Sequence, residues 1–202
     1  MFVRGWEVTS GIYEQRPVPV ILNRAAEAVA VGGNTVSAGS AQLYCGLAQT
    51  LAVAGRRTDA LSALRRADEI IERLPRDVIA DEASVFGWPE RKSRHIESYI
   101  YTALGDTAAA YQAIDRALTL MPVPFVRGRA QVLLHRATSM VRDGDIAGGL
   151  GYATDALDGL PSQHRTERVH AIGRQTLAAL PAAERGRAEA TELAARLVSG
   201  AR

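Results

Sequence analysis

TALGDTAAAYQAIDRALTLMP, Thr102 to Pro122, reads as the end of one helix, a Gly-Asp turn and a second helix closed by proline. Alanine, leucine, glutamine and arginine favour helix, glycine supplies the left-handed conformation of a helix end, and proline cannot continue one. The same punctuation recurs elsewhere. With the turn glycines Gly55, Gly105 and Gly144 aligned, Ala60, Ala110 and Gly149 stand five residues later, and Ala67, Ala117 and Ala156 twelve later. Pro122 and Pro161 fall seventeen residues after their glycine and Pro75 twenty after, while Leu51, Tyr101 and Met140 stand four before. Small residues are needed where two helices approach closely, and the proline stops the second helix.

This pattern resembles the tetratricopeptide repeat, a helix-turn-helix unit of about 34 residues. The glycine spacings are 50 and 39, so the units carry insertions, the larger at residues 76–88. The predicted fold is all-α: antiparallel helix hairpins stacked as a short right-handed solenoid. The whole chain, 1–202, reads as one such domain. Residues 1–34 form an irregular first hairpin, 40–75, 90–122 and 127–161 the repeats, and 165–202 the capping helices. No single hairpin can bury its apolar face, so stacking supplies the core.

Around this scaffold, Trp6 and Tyr13 are spaced to share one face of an opening helix, and Pro17 and Pro19 interrupt the chain after it. Thr58 is a candidate cap for the helix after Gly55. Arg65 and Arg66 are both placed to pair with Glu69 on that helix. Gly148, Gly149 and Gly151 lack the preceding strand and the Lys-Ser/Thr of a phosphate loop, and read as close packing. In the irregular stretch, Phe86 and Trp88 either plug a seam between helices or line a pocket.

The repeat register places one row of side chains on the concave face. It includes Gln42, Cys45 and Gln49, then Lys92, His95 and Tyr99, then Gln131, His135, Thr138 and Arg142, with Arg165 and Arg168 beyond. Gln49, Lys92, His95, Tyr99, His135, Thr138, Arg142 and Arg168 are the candidate binding residues. The row is polar, aromatic and mildly basic, which suits an acidic peptide or a small polar ligand, and equally a solvated inner face.

Ser84-Val85-Phe86-Gly87-Trp88-Pro89-Glu90, followed by Ser98-Tyr-Ile-Tyr-Thr-Ala-Leu-Gly-Asp106, is similar to the tetratricopeptide region of actinobacterial XRE-type helix-turn-helix regulators. So are Arg4-Gly5-Trp6, the Val29–Gly33 helix end, and Leu160-Pro161 with His164-Arg165-Thr166-Glu167. The likeness covers nearly the whole chain and its motifs are structural. It implies a sensor or dimerisation module, with a homodimer among the expectations. The family's N-terminal DNA-binding head has no counterpart here, so DNA binding is not expected of this chain alone.

Twenty-four basic residues against 22 acidic ones leave a net charge of +2, too little to argue for nucleic acid. A single cysteine, Cys45, excludes an internal disulfide and a Cys-based zinc site. No secretory signal or membrane span is read, and a cytoplasmic location is expected. The four histidines include no i,i+4 pair, so no metal site, no cofactor and no catalytic residue is assigned. The expected function is a non-catalytic binding or regulatory module for a protein, peptide or small-molecule signal. The alternative is a small enzyme with its pocket near His95, Tyr99 and His135.

Overall fold

The computed structural model describes residues 1–198; the last four residues of the expected capping segment lie outside them. Every regular element of the described residues is a helix, and there is no strand among them. The chain falls into two compact units, Met1–Ile96 and Glu97 onward, which divide within one helix.

In the first unit, α1 (Phe2–Tyr13), α2 (Val18–Gly32), α3 (Ala38–Val53) and α4 (Arg57–Ile71) form two hairpins, followed by the short α5 (Arg76–Ala80) and the start of α6 (Glu90–Leu104). Pro17 and Pro19 end nothing more than the linker. Pro17 is the N-cap of α2 and Pro19 lies in its first turn, where a missing N–H costs nothing. Ser37 caps α3, its hydroxyl accepting from the Ser40 amide at 3.1 Å. Arg56 rather than Thr58 is the N-cap of α4, and no side chain caps it. Val8, Ile21, Ala25, Ala28 and Leu43 form the core of the first hairpin against α3. Tyr13 is buried, but Trp6 turns outward and stacks against Phe2 at 6.3 Å, so the two rings do not share a face.

α1 and α3 meet almost backbone to backbone. A Cβ on Gly39 would lie 2.6 Å from the Phe2 nitrogen, and one on Gly5 would lie 2.8 Å from the Leu43 nitrogen. Only glycine permits that approach.

The second unit continues with α7 (Thr107–Leu120), α8 (Val126–Arg142), α9 (Ile146–Asp158), α10 (Glu167–Ala178) and α11 (Ala188–Val198). Asp106 and Asp145, each following a turn glycine, cap α7 and α9 by accepting from Ala109 and Gly148 amides. Within the C-terminal capping segment, a 3-10 turn at Ala182–Glu184 precedes α11. α8 packs against α7, α9 and α10, and α9 against α11. Two arginines perform one task here. Arg129 donates to the Leu118 and Met121 carbonyls, and Arg165 to those of Leu160 and Asp158. Each places a cation on the free carbonyls that end the preceding helix, a favourable position worth roughly 0.3–1 kcal/mol.

The repeat punctuation is present at atomic level. Gly55, Gly105 and Gly144 have φ of +71°, +71° and +94°. Ala60, Ala67, Ala110 and Ala117 are completely buried. Gly149 lies so close to α8 that a Cβ would meet the Ala137 carbonyl at 2.8 Å, whereas nothing crowds Gly151.

Candidate functional site

The boundary inside α6 assigns Lys92 and His95 to the first unit and Tyr99 to the second, so the expected binding row is described in two parts.

In the first unit the chemistry gathers at the segment before α6. The Asp81 carboxylate accepts from the Ala83 and Ser84 amides, at 3.0 and 2.9 Å, and the Ser84 hydroxyl accepts from the Phe86 amide at 3.0 Å. These bonds, led by that from Ser84, hold Asp81 below the usual carboxylate pKa. The Trp88 amide donates to the Val78 carbonyl at 2.8 Å, and its indole donates to the Ser93 hydroxyl at 3.0 Å. Trp88 is 1% exposed; Phe86 is 58% exposed and rests on Phe2, with ring centroids 4.6 Å apart.

Lys92 closes this segment. Its ammonium sits 4.0 Å from the Trp88 ring centroid and donates to the Gly87 and Val85 carbonyls at 3.2 and 3.3 Å. Burial, opposed by the nearby Cys45 thiol and reinforced by Arg91, lowers its pKa to about 8. Lys92 is thus a clasp on its own loop. Gln49 is buried on α3, and His95 is half-buried on α6.

In the second unit, most of the expected row lies inside the protein. The Ser98 hydroxyl and His135 Nδ1 are 2.8 Å apart, the Thr102 and Ser139 hydroxyls 3.2 Å, and the Thr138 and Thr176 hydroxyls 2.9 Å. The Gln175 amide donates to the Tyr99 hydroxyl at 2.8 Å, and the Tyr99 ring meets His135 edge-on at 5.5 Å. Ser98, Tyr99, His135, Thr138, Ser139 and Thr176 are all buried. Their polar groups join α6 to α8 and α8 to α10. Such bonds contribute roughly 1 kcal/mol each, and a partner left unmade would cost more. Ser98 and His135 have the separation of a nucleophile and its base, but neither meets solvent.

Arg142 and Arg168 lie at the margin of this network. Arg142 is exposed as a residue, yet its guanidinium reaches the Gly105 turn, where desolvation lowers its pKa. Arg168 is half-buried on α10. No group of three or more His, Cys, Asp or Glu side chains converges among the described residues in a way that could hold a metal ion. No helix of the described residues is long and apolar enough to cross a membrane.

Sequence reasoning missed the period on which these helices stack. Thr9 and Gly46 meet across α1 and α3, where a Cβ on Gly46 would lie 2.8 Å from the Thr9 hydroxyl, and they are 37 residues apart. Thr102 and Ser139, and Ser98 and His135, are also separated by 37. Thr176 comes 37 residues after Ser139 again. The signal was a small or hydroxyl-bearing residue at that period. Aligning on turn glycines hid it, because the helices between differ in length. No family model, no curated protein and no solved structure matches this chain.

Proposed function

We propose that this protein is a non-catalytic, tetratricopeptide-like binding module that recognises a protein, peptide or small-molecule signal. The carrying observation is the 37-residue register within each unit, in which first helices of successive hairpins meet through small and hydroxyl side chains. That is how a stacked-hairpin array is built, and such arrays serve by presenting surface rather than by performing chemistry. The resemblance to XRE-type regulators supports a cytoplasmic, regulator-like role beside a transcription factor, with a homodimer as the working state.

The buried row changes which side chains carry recognition. Tyr99, His135 and Thr138 hold helix seams and Gln49 is buried, which leaves the half-buried His95 in the first unit, and separately the exposed Arg142 and half-buried Arg168 in the second, for contact with a partner. The enzyme alternative puts its pocket near His95, Tyr99 and His135; Tyr99 and His135 are buried, as is the Ser98 hydroxyl that faces His135.

Two measurements test the reading together. Affinity capture with the intact chain should recover a partner whose retention falls in an Arg142→Ala/Arg168→Ala variant. A fluorophosphonate probe, which labels activated serines, should leave Ser98 unmodified. Labelling at Ser98 would establish the catalytic alternative, and retention indifferent to the two arginines would remove the proposed surface.

A further inference from the structure

The first unit contains a cleft of about 570 Å³ lined by α3 and α4. Leu47, Leu51 and Ala63 make an apolar floor, with Tyr44 and Ser62 at its sides. That volume lies in the range of small-molecule sites, about 300–1,000 Å³. In the second unit the corresponding stripe of α8 is covered. Leu47 and Arg136 each stand eight residues before their turn glycine. Arg136 pairs with Asp115 of α7 and lies 5.8 Å from the Tyr111 ring centroid, which draws α7 across α8. Leu47 packs on one side against the α1–α2 core but has no polar side chain to draw a neighbouring helix across it, and α2 and α4 make no extensive contact.

Charge decides what suits the cleft. Asp59 is paired with Arg56 at 2.7 Å, and Glu69 with Arg66 at 2.7 Å. Glu69, and after it the Tyr44 hydroxyl, holds the Arg66 guanidinium further above its already high pKa. Arg65 was an equal candidate for Glu69 by spacing, but it has no ion pair among the described residues. An apolar floor is therefore left with one unneutralised guanidinium at its edge. Guanidinium and carboxylate match in a two-pronged hydrogen-bonded geometry.

We propose that the α3–α4 cleft binds a small organic carboxylate with an apolar body, the body lying on Leu47, Leu51 and Ala63 and the carboxylate on Arg65. This rests on the binding-module reading and gives it a ligand class. The ligand is recognised without being turned over, and the Tyr44 and Ser62 hydroxyls are placed to donate to its carboxylate oxygens.

The test uses the intact chain, 4-phenylbutyrate, and its neutral isostere 4-phenylbutyramide, with binding read from amide chemical shifts. The acid is expected to shift the Tyr44, Leu47, Ser62 and Arg65 signals and to bind roughly tenfold more tightly than the amide. Arg65→Gln, a change at an exposed position, should abolish that preference and leave amide binding as it was. Ser62→Phe, also at an exposed position, should fill the cleft and weaken both ligands. Equal binding of acid and amide overturns the proposal. So does an unchanged preference in Arg65→Gln, or loss of the α3–α4 signals on concentrating the chain without ligand, the mark of a second copy in the cleft. Partner capture that persists beside any of these results leaves the binding-module reading standing, so the two can fail separately.

Discussion

α3 and α8 are the central helices of their units, and each is buried on nearly every side. They achieve this by different means. α3 is approached mainly through glycine: Gly39 and Gly46 let α1 come within backbone contact, where dispersion does most of the holding beside one buried bond from the Gln42 amide to the Thr9 hydroxyl at 2.9 Å. α8 is approached through polar side chains, with His135, Thr138 and Ser139 bonded to residues of α6 and α10. The second arrangement also seals its flank, since Arg136 reaches α7. The first leaves a cleft beside Leu47. A repeated plan therefore produces one unit closed by polar ties and one with an open, apolar-floored edge. The difference comes from the residues that stand at a few register positions.

That contrast can be broken by substitution. The largest effect is expected at Trp88→Ala, which removes the biggest buried side chain of the first unit together with the platform under Lys92. A loss of roughly 3–5 kcal/mol is expected from urea unfolding. His135→Ala should come next at roughly 2–3 kcal/mol, because it opens a cavity and takes away the group bonded to Ser98. Hydrogen exchange should then rise in α6 and α8 while α1 and α3 stay protected.

Gly39→Ala asks whether the first unit depends on close approach. Its Cβ meets backbone rather than a flexible side-chain end, so helix α1 must move, at about 1–3 kcal/mol. An unchanged urea midpoint would show that α1 and α3 are loosely held, contrary to the contrast.

A further effect is pH-dependent and opposite in the two units. Lys92 has its pKa lowered from 10.5 to about 8, so below pH 8 both folded and unfolded chains carry the charge and the folded one bears its burial. Between about pH 8 and 10.5 the unfolded chain binds more protons, and the contribution of Lys92 to stability rises with pH. Tyr111 is raised from 10.0 to about 12, by burial first and then by its bond to Asp143. Above about pH 10 the unfolded phenol ionises first, so its contribution falls. Urea midpoints measured across this range should lose the rise in Lys92→Met and the fall in Tyr111→Phe.

Much of the helical plan was legible in the residues. The turn glycines, the small residues five and twelve positions later and the terminating prolines are local requirements of backbone geometry, and they stand where the spacing put them. Composition could not separate the buried Trp88 from the exposed Phe86, since both are large aromatics of one loop. The binding row was placed by register alone. Register fixes which side chains share a stripe but not whether another helix covers that stripe. Gln49, Tyr99, His135 and Thr138 are covered, and the sequence carried no sign of it beyond the hydroxyl residues 37 apart.

Thr102–Pro122 thus determined by itself that the chain turns at Gly105, that Asp106 caps the next helix and that this second helix stops at proline, because each depends on a few neighbouring dihedrals and hydrogen bonds. Only the tertiary structure decided that Thr102 would be spent on Ser139, that Glu69 would choose Arg66 over Arg65, and that Leu47 would border a cleft where Arg136 closes one. Those outcomes depend on distances between residues far apart in the chain or on a choice between equivalent neighbours, and helix packing sets both.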